Sequence, residues 1–388
     1  MNDFGKLYYA SVAFLNNQDM YGPTLATLTQ VGYENWQEFW NLNPPHFHVL
    51  LLPLALMPES WSLLLWTIAN VLALIVTLTL IKQELKLALS LNQKRLCMIG
   101  GLGFAGTGAH LVTGQLSFLL ALPITLAWIH GRNGRWTQAG LLLGIIASIK
   151  PFLLIFLPYI LLKREFKAVG TFISVFIANF LIGVAIFGIE PHVAWLQCLT
   201  EVNWHWTVMN ASLWGSLTRA FAENPMFTPA VHAEFLIIPL WSLFAAMIAG
   251  AAFWISVRDS SSCATDRAFA ILLFSAILIS PLGWIYYLFF LLGPLTALIS
   301  RWSNRLQRHM WQEYLLQHKM RTLLLFGGIS GLLVPLIGIN LFQPNSLATL
   351  TLGSIYFWST LMLWGCLVVD WAVDNHRPTQ SHASYATP

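Results

Sequence analysis

The chain has 388 residues, of which 57% are hydrophobic and only 9% charged, with a mean hydropathy of +0.65. A soluble domain carries about 25% charged residues, so this composition excludes a soluble globular protein and identifies an integral membrane protein. The net charge of +4 comes from basic residues set between apolar runs, a pattern that reports topology and speaks against a nucleic-acid partner.

The apolar runs have helix length rather than the ten-residue alternation of barrel strands, so the expected fold is all-α, a polytopic bundle in the lipid bilayer. The first 45 residues are polar, with Asp3, Asp19, Glu34 and Glu38, and read as an external loop. Within them, 4–17 reads as a short amphipathic helix and 33–41 as an aromatic-rich interfacial segment. Asn43-Pro44-Pro45 breaks the chain before His46–Met57. That run is about a dozen residues, roughly 18 Å of helix. It is short of a roughly 30 Å crossing and reads as re-entrant. Trp61–Ile81 is long enough to span, and Lys82, Lys86, Lys94 and Arg95 then mark the cytoplasm.

Leu96–Val112 and Gln115–His130 form a hairpin with Thr113-Gly114 at its outer tip, returning to Arg132 and Arg135. Gln138–Ile149 and Phe152–Leu162 flank Lys150-Pro151 and dip outward and back between basic flanks. Val169–Ile189 leads to a second external loop, 190–232, and Phe235–Val257 returns. Ala268–Leu282 and Trp284–Ser300 pair around an outer Ser280-Pro281-Leu282-Gly283-Trp284 turn. Arg301, Arg305, Arg308, Lys319 and Arg321 form the strongest basic patch, and Thr322–Asn340 and Leu347–Asp370 close the bundle. The count is about 11 transmembrane helices plus short re-entrant ones. It divides the chain into an external opening (1–45), a core module (46–300) and a C-terminal part (301–388) with a basic loop, two helices and a tail. No internal repeat is evident, which argues against an inverted-repeat transporter. On this topology only Cys198 of the four cysteines faces outward, so no external disulfide is expected.

Few residues offer chemistry. Asp3, an external carboxylate near Tyr8, Tyr9 and Tyr21, suits a general base for a sugar hydroxyl; the alternative is a solvated terminal acid. Lys150 lies among apolar helices, where a charge costs on the order of 3 kcal/mol. An anion, cavity water or a snorkelling path must receive it. Arg219 in the second external loop suits a bidentate phosphate contact, or simply faces solvent. His46 and His48 are spaced i, i+2 and share no helix face, so no metal site is expected. Trp195, Trp204 and Trp206 suit either sugar stacking or an interfacial aromatic belt. Gly100, Gly101, Gly103, Gly106 and Gly108 are expected to serve close helix packing.

Five signals occur in order: Asn43-Pro44-Pro45 with Leu65-Trp66 beyond it, Gly114-Gln115, the Lys150-Pro151 hairpin, Asn210-Ala211-Ser212-Leu213-Trp214-Gly215 with Arg219, and Ser280-Pro281-Leu282-Gly283-Trp284. Together they resemble glycosyltransferase family 87, whose best-known members are polyprenyl-phosphate-mannose-dependent mannosyltransferases of the GT-C fold. The resemblance runs from Asp3 to about Pro294. It implies that Asp3 is the catalytic base and that Lys150, Arg219, Tyr286 and Tyr287 meet the donor phosphate. It places Tyr8, Tyr9, Pro44, Pro45, His46, Gln115, Asn210, Ser212 and Trp284 at the substrates. Asn43 replaces the family's tyrosine before Pro-Pro, and Ala211 replaces its glutamine. Tyr286 and Tyr287 replace a histidine pair, so phosphate charge must be neutralised elsewhere. The family also has a transmembrane helix ahead of the aspartate, whereas Asp3 is two residues from Met1, so either the true start lies upstream or the protein lacks that helix.

The expected function is a membrane glycosyltransferase of bacterial inner (plasma) membrane type, facing the periplasm or exterior. It would move a hexose, with mannose expected, from a polyprenyl-phosphate-linked donor to a glycolipid or glycan acceptor, with inversion and no cofactor. The alternatives are a lipid-linked-sugar transporter or flippase, and an inactive family member.

Overall fold

Runs of leucine, isoleucine and alanine between proline and glycine breaks fold as helices, because only internal bonding satisfies the backbone in lipid. The computed structural model describes residues 2–24, 26–31, 35–308, 319–336 and 346–375. In chain order, α1 (Asn2–Leu15) precedes a small antiparallel hairpin of β1 (Leu28–Val31) and β2 (Asn35–Glu38), with Leu28 opposite Glu38. Two single-turn helices follow, α2 (Pro45–His48) and α3 (Leu52–Ala55), then α4 (Glu59–Glu84). The bent pair α5 (Leu91–Gly103) and α6 (Ala105–Thr113) leads to α7 (Ser117–Arg132) and α8 (Trp136–Ile149). A 3-10 turn at Pro151–Ile155 continues as α9 (Phe156–Leu162), then α10 (Phe166–Phe187), α11 (Glu190–Thr200), α12 (Leu213–Phe221) and α13 (Ile237–Arg258). After α14 (Ala264–Ile279), a 3-10 segment Ile285–Leu291 runs into α15 (Leu292–Arg308). The C-terminal part holds α16 (Lys319–Leu332), α17 (Ser346–Leu350) and α18 (Ile355–Asn375).

The chain is a polytopic membrane protein, but the crossings differ from the sequence reading. Among the described residues five helices are long and apolar enough to cross a membrane, six if α5 and α6, bent by 57°, count as one span. The other helices expected among about 11 are shorter than that measure, and some are apolar but buried by protein. Every residue of α14 from Asp266 to Leu278 is buried by neighbouring helices, so this 16-residue helix needs no lipid-spanning length. The expected re-entrant helix at His46–Met57 is instead α2 and α3. Pro53, in the first turn of α3, lacks the amide that would continue the ladder. The segment expected at 33–41 contributes strand β2. The Thr322–Asn340 helix is described as far as Leu336; its last residues and the tail from 376 lie outside the described residues.

α4, α10 and α13 expose large apolar side chains such as Ile68, Leu72, Ile177, Leu181, Leu243 and Met247, as lipid-facing helices do. On α4 the Thr67, Thr77 and Thr79 hydroxyls each donate to the carbonyl four residues back. Close packing falls on other glycines than the expected run. A Cβ at Gly140 or Gly144 would sit 2.5 Å from the Ala168 or Phe172 carbonyl oxygen, so α8 and α10 meet backbone to backbone. Gly100, Gly101 and Gly108 have nothing within 4 Å, and of the run only Gly106 makes a tight contact.

One end of the bundle is pinned by charge. Fully buried Arg267 on α14 bonds Asp259, Asp370 and Asp374, and Asp370 on α18 also takes Arg321 Nη1 at 2.9 Å and Trp302 Nε1 at 2.8 Å. Arg132 at the end of α7 bonds Glu84 at 3.1 Å and Asp266 at 3.0 Å. The opposite ends of these same helices carry Leu116, Lys150 and Ser280.

Candidate active site

At those opposite ends lies a cavity of about 920 Å³. Asp3 reaches it from the first turn of α1, where its carboxylate also suits the helix N-terminus. Asp3 Oδ1 accepts from Lys6 Nζ at 3.0 Å, one helical turn away, and Oδ2 accepts from the Gln115 side-chain amide. Gln115 is held there by local geometry: Gly114 ends α6 in the left-handed region (φ 72°), and its carbonyl takes the Trp66 indole N–H at 2.9 Å.

Lys150 enters at the break between α8 and Pro151. It is only 8% exposed, and its ammonium donates to Asn43 Oδ1 at 2.9 Å, 5.6 Å from the Tyr287 ring centre. Tyr286 and Tyr287 start the 3-10 segment after Trp284, and among the described residues neither hydroxyl has a protein partner. Phe39, Trp40, Trp204 and Trp206 add an aromatic wall, and Met209, Met226, Trp241, Ile279, Leu282 and Leu336 an apolar arm. Burial in the loop pushes the lining His205 imidazole down to about 4, so it is neutral at pH 7. Apart from His205 and the tyrosines, the acidic and basic side chains that line the cavity are Asp3, Lys6 and Lys150. Asp3 and Lys6 neutralise each other, which leaves one ammonium with donors to spare.

The turn that carries Trp284 is fastened by Asn210. Its Nδ2 donates to the His205 and Pro281 carbonyls, both at 2.9 Å. Its Oδ1 accepts from Gly283 N at 2.9 Å and Ser212 N at 3.2 Å. All four bonding positions of the amide are filled. Ser212 caps α12 by accepting from Gly215 N at 3.1 Å. Both residues therefore shape the wall and do not line the cavity.

Of the residues singled out in the sequence, Asp3, Gln115, Lys150, Trp284, Tyr286 and Tyr287 converge on the cavity. Tyr8 and Tyr9 turn away, to the Met57 carbonyl and the Glu59 carboxylate, each at 2.7 Å. Pro44 and Pro45 open α2, and His46 Nε2 meets the Ser148 carbonyl at 2.9 Å, bracing α2 against α8. Trp195 lies elsewhere, bonded to the Leu42 carbonyl.

Arg219 requires a correction. It is fully buried, and its guanidinium bonds the Trp206, Thr207 and Asn210 carbonyls and Ser354 Oγ. Burial pushes it down to about 9, still ionised at neutral pH. A loop rich in inward-turned carbonyls takes most of its donors, and the side chain does not line the cavity. Lys6, Asn41 and Asn43 were missed. The i, i+3 spacing of Asp3 and Lys6 on a helix was the available signal for the first; nothing in the sequence pairs Asn43 with Lys150, 107 positions away.

Residues 41–281 match the model of Glycosyltransferase family 87. Gln115, Lys150, Asn210 and Ser212 lie inside that segment, Asp3 and Lys6 ahead of it, and Tyr286 and Tyr287 just beyond. Over 271 residues the chain is 24% identical to the polyprenol-phosphate-mannose-dependent alpha-(1-2)-phosphatidylinositol pentamannoside mannosyltransferase of Mycolicibacterium smegmatis. The alignment covers 66% of this chain and 62% of that protein, so the chain spans less than two thirds of the relative's length. No solved structure matches.

Proposed function

The chain belongs to glycosyltransferase family 87, and from that premise we infer that it transfers a hexose, with mannose expected, from a polyprenyl-phosphate-linked donor to an acceptor hydroxyl. The relative's name carries the same donor, polyprenol-phosphate-mannose. The observation that carries the reading is one cavity lined by both a carboxylate, Asp3, and an otherwise unneutralised buried ammonium, Lys150.

The donor is a phosphodiester with one negative charge, which matches the single spare positive charge. Its phosphate sits near Lys150, with the Tyr286 and Tyr287 hydroxyls donating to oxygens that the missing histidine pair would otherwise serve. The prenyl chain follows the apolar arm. The acceptor hydroxyl attacks the anomeric carbon from the opposite side and gives its proton to Asp3. The bond from that carbon to the phosphate oxygen breaks, and its electron pair leaves with the polyprenyl phosphate. Direct displacement inverts the anomeric centre. Lys150 stabilises the charge that develops on the leaving phosphate, and the bonds from Gln115 and Lys6 hold the carboxylate in place. Because basic residues cluster at the other end of the helices, the positive-inside rule supports a cavity that opens away from the cytoplasm. A GT-C-type bundle and an acceptor of glycolipid or glycan class are consistent with this arrangement.

The test is transfer from polyprenyl-phosphate-mannose by purified protein in nanodiscs. Asp3→Asn should lower transfer by about 10²–10⁴-fold while donor binding and thermal midpoint hold. Full transfer by Asp3→Asn would sink the role of the carboxylate.

A further inference from the structure

Starting in the cavity wall with Lys150, Asn43 and Asn41 and passing behind it through His48 and Ser11, five polar side chains bond in series from Lys150 to α1. Lys150 Nζ donates to Asn43 Oδ1 at 2.9 Å, and Asn43 Nδ2 to Asn41 Oδ1 at 3.3 Å. Asn41 Nδ2 meets His48 Nε2 at 2.8 Å, and His48 Nδ1 meets Ser11 Oγ at 3.0 Å. Ser11 Oγ donates to the Leu7 carbonyl at 3.1 Å. Asn41, His48 and Ser11 are all buried, between 0 and 3% exposed.

Two groups that can only donate fix the direction of the whole series. The backbone amide of Asn43 also reaches the Asn41 side chain, at 3.2 Å, so the atom it faces must be the oxygen. The Asn41 amide nitrogen therefore faces His48, whose Nε2 must be bare and whose proton sits on Nδ1, ready for Ser11. At the other end an ammonium cannot accept, so it faces the oxygen of Asn43, and the Asn43 amide nitrogen points back to Asn41. Both ends demand the same polarity. The series reaches α1 on the face of Asp3, since positions 3, 7 and 11 are one helical turn apart.

A buried polar series costs free energy unless every member is bonded, and apolar side chains can hold two helices together at less cost. What they cannot do is aim an amide oxygen at an ammonium. We propose that Asn41 and His48 are positioning residues that set the Lys150 ammonium and the Asp3 carboxylate at the spacing transfer requires. The inference rests on the catalytic reading above and adds residues to it. His48 touches neither substrate; it ties the helix of the base to the strut of the cation.

Two variants divide the series. In His48→Gln an amide oxygen can still accept from Asn41, so Lys150 keeps its aim while the tie to α1 is lost. Asn41→Leu frees Asn43 and with it Lys150. In full-length protein in nanodiscs, His48→Gln should leave the Kd for farnesyl phosphate and the donor KM within about threefold. Its kcat should fall about 10²-fold, the cost of a misplacement near 1 Å. Asn41→Leu should weaken farnesyl phosphate binding about tenfold as well. A kcat kept within threefold in both variants overturns the proposal, as does a loss that only tracks the folded fraction. Nitrogen-15 spectra of histidine-labelled protein give a readout free of turnover. The resonances that vanish in His48→Gln should show a bare Nε2 and a protonated Nδ1, and a protonated Nε2 overturns the series. A wild-type protein with the expected spectrum and farnesyl phosphate affinity but no transfer overturns the catalytic reading instead, and leaves the aim of Lys150 supported.

Discussion

Arg219→Met separates two roles that an arginine beside a phosphate-handling cavity can have. Removing the guanidinium deprives three carbonyls and one hydroxyl of a donor. The Thr207 carbonyl keeps the Asn210 amide, and Ser354 Oγ keeps its own bond to the Thr349 carbonyl. The Trp206 and Asn210 carbonyls are left bare in a buried site, at about 1–3 kcal/mol each. Against this, a buried charge with no carboxylate partner among the described residues is removed, which returns part of the desolvation cost. The net loss should be about 3 kcal/mol. The assay pairs thermal unfolding in detergent with farnesyl phosphate binding to the fraction that remains folded. Arg219→Met should lower the thermal midpoint and leave the Kd unchanged. Lys150→Met should do the reverse, with the Kd raised at least about tenfold and the midpoint nearly held. An Arg219→Met protein of normal stability that no longer binds the lipid phosphate would refute the reasoning and return Arg219 to the site.

Two further outcomes follow from the packing. Gly144→Leu drives a side chain into the Phe172 carbonyl on α10; forcing the backbones apart should cost at least about 3 kcal/mol, measured as loss of detergent-stable protein, whereas Gly108→Leu, with nothing nearby, should be tolerated. Asn210→Asp keeps shape but turns two donors into an acceptor facing the His205 and Pro281 carbonyls. It should destabilise by about 2–4 kcal/mol and raise the protease sensitivity of the 205–215 loop, and an unchanged digestion pattern would show that the turn is held by other means.

The sequence carries chemistry in order along the chain, and that part was legible. Asp3, Gln115, Lys150 and the Trp284–Tyr287 turn are conspicuous because polar or aromatic residues interrupt apolar runs, and the fold gathers them into one cavity. Direction was not legible. Nothing local tells whether Arg219 points outward to an anion or inward to loop carbonyls, since the decision belongs to Trp206 and Thr207, a dozen residues upstream. What buries a helix was illegible for a related reason: α14 and a lipid-facing span are both strongly apolar, and only tertiary contacts tell them apart. The hairpin of β1 and β2 escaped because its strands are four residues each, too short for alternation to register.

The charge cluster around Arg267 has a consequence for how the chain is made. Arg267 and its partner Asp370 lie 103 positions apart. At roughly 5–20 residues per second, the arginine waits on the order of 5–20 s after synthesis before the α18 carboxylates join Asp259, which is made just ahead of it. Until α18 arrives, Arg267 has one of its three carboxylates, Asp259, and lacks Asp370 and Asp374. The last helix thus closes an ionic cluster that the earlier chain only begins. A chain that stops short of Asp370 lacks two of the three carboxylates that surround Arg267 in the finished bundle, and only Asp259 remains to it.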